Sequence, residues 1–452
     1  MLGVVTRLVL YGVPTLAVLV VAMSLLVVAA PRPVVGARLY GGTSPDGHRL
    51  SFRVVVTEQR GEHAGTLPGR AIRVEARAGG EQLVSWEGEL DAEGTAAVTL
   101  KSTLPLPERT VLRVVAPWTS TPLAMGSVST RSAQPRRAAS TRGGWIAPPQ
   151  EGKLDIRVAA SRGVLAVPFD ATLLVEVRQS QAPVVDAHLE LDLESLELAA
   201  TPGPTNEHGR TLIRLRPIAH VAALEIRARS REGQRGRWYS TLPIVGGALL
   251  AEVSPTGALR VTSPIPRDRA YYAVDTEQGR FTGGTVWLKS DDRGGARGQT
   301  QVELPQDREA WVVLSSEIDL KAPSTVGWPV ASIERDFLAG KLRQPPRSKV
   351  FTDELELDGL GPLLRHEAAR QARVRRLTAL FVGTAMTLVI MVLMLRVRES
   401  DLRLRNHLKQ TAAGEDQGIA ATRKSTILST AVAVLCVMLG FLILALLAML
   451  RG

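Results

Sequence analysis

Three long uncharged apolar stretches constrain the fold of this chain more than any other feature of its sequence. They cover residues 8–30, 377–395 and 427–450. A helix of about 20 apolar residues crosses a hydrocarbon layer about 30 Å thick. The sequence therefore predicts a transmembrane anchor within residues 1–30, a second transmembrane helix over 377–395 and a third over 427–450.

The first apolar stretch has two interpretations. Arg7 precedes it, and the small residues Ala29 and Ala30 end it just before Pro31, as in a cleaved signal peptide. However, the stretch is longer than the roughly 7–15 apolar residues of a secretory signal, which favours an uncleaved anchor. Both interpretations remain open at this point.

Charge counting does not decide the orientation in the membrane, because basic residues flank the apolar stretches on both sides. A basic residue, Arg7, followed by an apolar run resembles an export signal. The polar body between the anchors is typical of an extracytoplasmic β-protein. We therefore expect the N-terminus and a loop over residues 396–426 in the cytoplasm. The body is then periplasmic, outside a bacterial-type inner membrane.

A basic cluster precedes the second apolar stretch. Its residues are rich in good helix formers, so a juxtamembrane helix continuous with residues 377–395 is expected. Arginine can rest its stem on the membrane edge while its head group meets lipid phosphates. The cluster is either a lipid or partner contact or a solvated extension of the helix. Its members are Arg365, Arg370, Arg373, Arg375 and Arg376.

The body shows the period-2 alternation of β-strands. In residues 72–77, for example, Ile72, Val74 and Ala76 alternate with charged residues. The predicted fold is all-β: a tandem Ig-like β-sandwich ectodomain with three transmembrane α-helices. The expected parts of the body are sandwich 1 (31–126), a linker (127–150), sandwich 2 (151–247), a third β-domain (248–330) and a connector with the juxtamembrane helix (331–376).

One short sequence pattern occurs twice in the body. A strand led by proline is followed by a four-residue turn that ends in glycine, at residues 68–74 with 91–94 and again at 183–189 with 206–209. Such turns suit hairpins, because glycine takes a positive φ freely and Asp or Asn bonds its own backbone. The second copy has Asn206 where the first has Asp91.

This arrangement resembles the Ig-like β-sandwiches of bacterial envelope proteins, and the macroglobulin-type domains in particular. The resemblance implies a β-sandwich fold and a role in the envelope. The chain is much shorter than full macroglobulins, and its one cysteine, Cys436, lies in the third apolar stretch. A thioester in the body is therefore excluded, and covalent protease trapping is not implied.

The sequence contains no recognisable catalytic or cofactor-binding motif, so neither a cofactor nor a metal is predicted. A metal site built from His188, His208 and His220 would fit no ligand spacing. The acidic residues Asp91, Glu93 and Asp275 are weighed as a calcium-binding turn against ordinary turn carboxylates, and the second interpretation is favoured.

The net charge of +11 lies mostly beside the apolar stretches, and no nucleic-acid-binding module is visible. Seven tryptophans, six of which are spread over the β-units, are expected in cores or interfaces. The sequence predicts a non-enzymatic membrane-anchored binding or scaffold protein, with envelope or membrane proteins and membrane lipid as partners. An envelope hydrolase, or a sensor or transport accessory acting through the C-terminal hairpin, is the alternative. The oligomeric state stays open.

Overall fold

The body of the chain is built from mainly antiparallel β-sheets in the computed structural model. Two units are present: a body unit, Val35–Glu58 with Gly65–Leu360, and a helix unit, Met1–Val34 with Gln59–Ala64 and Gly361–Gly452. The structure describes residues 19, 23, 27, 30–44, 46–130, 140–146, 151–292, 294–306, 308–342, 344–345, 347–350 and 355–410.

The strands follow one another with short connections, as expected for sandwiches. The first eight are β1 (Val34–Thr43), β2 (Arg49–Arg60), β3 (His63–Thr66), β4 (Ala71–Ala78), β5 (Glu81–Glu89), β6 (Thr95–Lys101), β7 (Arg109–Val115) and β8 (Ala124–Ser129). The next twelve are β9 (Ser140–Gly143), β10 (Glu151–Gly152), β11 (Asp155–Ala160), β12 (Leu165–Ala166), β13 (Ala171–Gln179), β14 (Ala182–Pro183), β15 (His188–Glu194), β16 (Leu196–Ala200), β17 (Arg210–Pro217), β18 (Ala223–Arg229), β19 (Arg235–Thr241) and β20 (Ile244–Val245).

The remaining elements complete the body and lead into the helix unit. They are β21 (Leu250–Val253), β22 (Ala258–Ser263), β23 (Arg269–Thr276), β24 (Gly279–Trp287), β25 (Lys289–Ser290), β26 (Ala296–Gln301), β27 (Ala310–Ser315), β28 (Val326–Pro329), α1 (Glu334–Leu338), β29 (Arg347–Val350), β30 (Leu355–Asp358) and α2 (Leu360–Gln410).

Three β-sandwiches form the body unit, which confirms the all-β prediction. The first has sheets β3-β2-β1-β30, with β6 also on β2, and β5-β4-β7-β8. The second has β10-β19-β18-β15 and β11-β13-β17-β16, and the third has β21-β22-β26-β25 and β24-β23-β27-β28. Each closes on its own buried apolar core. In β4, Ile72, Val74 and Ala76 point into the first core, as the alternation predicts.

The repeated turn has the same geometry in both copies. The Asp91 carboxylate accepts the backbone N–H groups of Glu93 and Thr95 at 3.0 and 2.8 Å. The Asn206 Oδ1 accepts those of His208 and Arg210 at 2.9 and 3.0 Å. Asparagine therefore replaces aspartate without loss of the turn, because both hydrogen bonds need only an oxygen acceptor.

The last strand of the body returns to the first sandwich. Arg38 of β1 lies opposite Asp358 of β30, 320 residues later, and the two side chains form an ion pair at 3.3 Å. Strand β30 falls in the segment 331–376, which was expected to be a connector and a helix. A four-residue strand carries too little periodicity to be recognised from its own sequence.

Helix α2 dominates the helix unit. Its 51 residues give a length of about 77 Å at 1.5 Å per residue. It contains the backbone of residues 377–395 and continues through Gln410, so the first part of the expected loop 396–426 is helical. Glu399 and Arg403 form an i,i+4 pair at 3.9 Å there, which favours the helix.

The membrane prediction is only partly covered by the described residues. Among them, none of the helices is both long and apolar enough to cross a membrane. The predicted anchor over 1–30 lies outside the described residues except at positions 19, 23, 27 and 30. The third stretch, 427–450, and Cys436 lie entirely outside them.

Candidate functional site

The basic cluster predicted from the sequence lies on the first turns of α2. At about 100° per residue, Arg365, Arg373 and Arg376 fall within about 80° of one another on one face of the helix. All three are exposed. We call these three residues the arginine stripe. Three cations on one exposed face form a surface suited to phosphate groups.

The other two arginines of the cluster lie away from the stripe. Arg370 is half-buried and donates to Glu367 at 2.6 Å and to the carbonyl oxygen of Ala30 at 3.2 Å. Arg375 is also half-buried. The five arginines therefore divide into an exposed stripe and two half-buried residues, of which Arg370 has its partners inside the helix unit.

Glu367 fastens the start of α2 to the segment that precedes β1. Its carboxylate binds the guanidinium of Arg370 and also accepts the backbone N–H of Arg32 at 3.3 Å. The hydrogen bond from Arg370 lowers the pKa of Glu367 to about 2, with further contributions from Gln371 and Arg32. The carboxylate is therefore ionised throughout the physiological range.

The residues weighed as metal ligands have other partners. His208 lies beside Glu207, His188 faces Arg229 across β15 and β18, and the ring of His220 lies close to Gly246. Among the described residues, no three His, Cys, Asp or Glu side chains are grouped to hold a metal ion.

The three acidic residues that were weighed as a calcium-binding turn have structural roles. Asp91 holds its own turn, and Glu93 forms an ion pair with Arg269 of the third sandwich at 3.4 Å. Asp275 lies on β23 in a buried pair with Arg280 at 3.1 Å. The interpretation as ordinary structural carboxylates therefore fits each of the three positions.

Most tryptophans pack as expected. Trp238 is fully buried in the second core, and Trp328 donates its indole N–H to the carbonyl oxygen of Leu249 at 2.8 Å. Trp287 differs, with 49% of its surface exposed on β24.

A cavity of about 170 Å³ between the second and third sandwiches was not predicted. Val164 and Ala166 of the second sandwich pack into the core of the third and form one wall. Arg162 and Trp328 both line it, and the guanidinium of Arg162 lies over the Trp328 ring, 5.8 Å from the ring centroid. The two residues are far apart in sequence, and no local pattern marks either one as part of a site.

An open sheet edge lies on the second sandwich. Within the part of the chain that the structure describes, strand β15 ends its sheet and pairs on one side only, with β18. Glu190, Asp192 and Glu194 point outward from it and are exposed. Next to this acidic row, Glu225 binds Arg237 at 2.9 Å and Arg227 at 2.6 Å. Charges on an edge strand deter pairing with arbitrary chains, yet they leave the edge open to a complementary partner.

Comparison with known proteins returned solved structures alone, since neither a family model nor a curated protein matches the chain. The crystal structure of invasin, a bacterial integrin-binding protein, is similar at 11% identity with a TM-score of 0.17. The match covers 66% of this chain and 60% of the invasin chain. The chain thus spans less than two thirds of that structure.

Two further structures repeat the resemblance inferred from the sequence. The D0-D1 domain of intimin matches at 13% identity and a TM-score of 0.15, over 46% of this chain and 99% of that one. A mutant of Salmonella alpha-2-macroglobulin matches at 11% identity and a TM-score of 0.17, over 63% of this chain and 22% of that one. The resemblance to Ig-like and macroglobulin-type proteins is therefore found, and it is weak. At these TM-scores it carries no argument about function.

Proposed function

We propose that this chain is a non-enzymatic binding or scaffold protein, anchored in a bacterial-type inner membrane, whose β-sandwich body lies in the periplasm. Three membrane helices, over residues 1–30, 377–395 and 427–450, form the anchor. The body serves as a rigid platform for other envelope or membrane proteins.

The pairing of β1 with β30 is the observation that carries this proposal. These strands are the first and last of the body, and they lie side by side in one sheet. The apolar segment before β1 and the one after β30 therefore leave the body from neighbouring strands. This adjacency suits two anchors that enter the same bilayer side by side.

The hydrogen bonds inside the helix unit support the same arrangement. Arg32 and Ala30, at the end of the first apolar stretch, bind Glu367 and Arg370 at the start of α2. The two segments that lead toward the bilayer are thus joined to each other. Arg373 and Arg376 then lie within about one helical turn before residue 377, near the depth of lipid phosphates, and Arg365 lies about three turns before it.

The acidic row on β15 is the surface that we assign to a protein partner. An edge strand offers unpaired backbone groups, and its charges select the partner. A basic, extended segment of an envelope protein fits both features. Reversal of the row (E190K/D192K/E194K) should abolish the capture of that partner by cross-linking in intact membranes, whereas the equal charge change E62K/E232K/E309K elsewhere should not.

The alternative function is that of an envelope hydrolase, for which the cavity at Arg162 would be the candidate active site. Two of its carboxylates are bound in ion pairs with exposed arginines, Asp170 with Arg216 at 2.8 Å and Glu252 with Arg260 at 3.6 Å. Paired carboxylates suit the recognition of a ligand better than proton transfer, because general acid–base work needs a group that can exchange its proton near neutral pH.

Membrane fractionation and protease protection test the anchoring and the orientation separately. The full-length chain should stay in the membrane after alkaline carbonate washing, and protease added to spheroplasts should digest residues 31–376 while a cytoplasmic marker stays intact. Release by carbonate would contradict the anchors. A body that resists protease until the cells are lysed would contradict the periplasmic orientation.

A further inference from the structure

The cavity between the second and third sandwiches has a lining of mixed chemistry. Its lining includes the apolar residues Val164, Phe169 and Trp328 and the charged residues Arg162, Glu252 and Glu334. Its volume of about 170 Å³ is below the roughly 300–1,000 Å³ of pockets for drug-sized ligands. The space therefore suits a small molecule that has both a polar end and an apolar end.

Arg162 is the most informative residue of this cavity. Its Nη1 donates to the carbonyl oxygen of Ala251 at 2.7 Å, and its guanidinium lies over Trp328. No carboxylate of the described residues lies within ion-pair distance of it. Desolvation lowers the pKa of Arg162, while the charges of Glu252 and Glu334 act in the opposite direction. Removing a cation from water without a direct counter-ion is costly, and a bound carboxylate would supply one.

A simple anion is not the best ligand for this cavity, because the carboxylates in the lining would repel it. Glu252, Glu334 and Asp170 bring three negative charges against the one positive charge of Arg162. Asp170 is compensated by Arg216 outside the cavity, and Glu252 partly by Arg260 at 3.6 Å. Glu334, the first residue of α1, keeps the charge of the lining negative. A ligand with one carboxylate also needs a cationic group of its own.

We propose that this cavity binds a small zwitterion of the α-amino acid class. Its carboxylate pairs with the guanidinium of Arg162, and its ammonium group lies toward Glu252 and Glu334. Its side chain rests on the half-buried Phe169. Trp328 lies behind this contact and is held in place, because its indole N–H is bound to Leu249 and the residue is 2% exposed. The site lies within the body unit and does not depend on the membrane anchors.

Calorimetric titration of the full-length chain in detergent with the free L-amino acids tests the proposal. At least one amino acid with an apolar side chain should bind in the micromolar to millimolar range. Loss of a charge-assisted hydrogen bond should weaken that binding at least about tenfold in R162Q. The matched control R229Q removes an exposed arginine of the same sandwich and should bind as the wild type does.

Two further variants keep the test decisive if R162Q does not fold. E334Q, at the start of α1, should weaken amino-acid binding without unfolding the chain, and F169A should weaken the binding of apolar amino acids more than that of glycine. Acetate and inorganic phosphate serve as probes without an ammonium group. If either of them binds as well as the amino acids do, or if no amino acid binds, the proposal is overturned.

Discussion

Arg53 of the first sandwich donates its Nε–H to the carbonyl oxygen of Ile318 in the third sandwich at 2.7 Å. The arginine is 2% exposed, and it also reaches the carbonyl oxygen of Tyr272 at 3.4 Å. Arg49 adds an ion pair to Glu303 at 2.8 Å beside it. The first and third sandwiches therefore contact each other directly, although the second lies between them in sequence.

Replacing Arg53 should weaken the body. In R53M the side chain keeps much of its volume, but the carbonyl oxygen of Ile318 loses its donor. A buried unsatisfied polar group costs about 1–3 kcal/mol, so the free energy of unfolding in urea should fall by about that amount. The exposed change R109Q is the control and should stay within about 0.5 kcal/mol. Equal stability of R53M and R109Q would show that the contact does not hold the two sandwiches together.

The buried pair of Asp275 and Arg280 predicts a non-additive effect. Both side chains are at most 1% exposed, and Nε lies 3.1 Å from Oδ1. Removing one partner leaves a buried charge, so D275L should cost about 3–5 kcal/mol in urea unfolding. The double change D275L/R280M should cost clearly less than D275L alone. A double-mutant cycle with additive costs would contradict this reading of the pair.

Trp238 and Trp287 form a matched comparison of a buried and an exposed indole. Trp238 is 0% exposed and donates to the carbonyl oxygen of Ile146 at 3.2 Å, whereas Trp287 is 49% exposed. W238A should therefore lower the free energy of unfolding by about 3–5 kcal/mol. W287A should cost less than about 1 kcal/mol, since it leaves no cavity. Thermal or urea unfolding of both variants distinguishes core packing from surface exposure.

The attachment of α2 to residues 30–32 should depend on pH in one direction. The pKa of Glu367 is lowered to about 2 in the folded chain, mainly by Arg370, against an ordinary value of 4.5. A lowered folded pKa stabilises the fold above the ordinary value, and this contribution is lost as the pH falls from about 4.5 to 2. The Tm difference between the wild type and E367Q should therefore shrink over that range. A carboxyl NMR titration of Glu367 with a midpoint near 4.5 would contradict the ion pair.

The arginine stripe should distinguish anionic from neutral lipid. Each arginine near an anionic surface contributes about 1 kcal/mol at most, and salt screens the effect. The full-length chain in nanodiscs should therefore be more stable in anionic than in neutral phospholipid, by up to about 3 kcal/mol. R365Q/R373Q/R376Q should lose this difference, and R109Q/R229Q/R235Q, with the same change of charge on the body, should keep it. If the wild type is equally stable in anionic and in neutral phospholipid, the stripe is only a solvated face of the helix.

The sequence was informative where structure is decided locally. The alternation of Ile72, Val74 and Ala76 predicted the buried face of β4, and the turn at Asp91 was recognised from its residue types. Asn206 stands in the second copy where the first has Asp91, and its oxygen makes the same two hydrogen bonds. Its amide nitrogen also donates to the carbonyl oxygen of Leu338 at 2.8 Å, which an aspartate could not do. That second role depends on α1, more than 100 residues away in sequence.

Hydrophobic periodicity and turn chemistry by themselves determined that this chain has apolar segments of membrane length and a body of β-sandwiches, because both are properties of neighbouring residues. The tertiary structure alone decided that β30 pairs with β1, that Arg53 joins two sandwiches, and that Arg162 lies over Trp328 in the lining of a cavity. These contacts join residues that lie far apart along the chain. Such pairings depend on which surfaces the packed sandwiches bring together, and no local pattern encodes that choice.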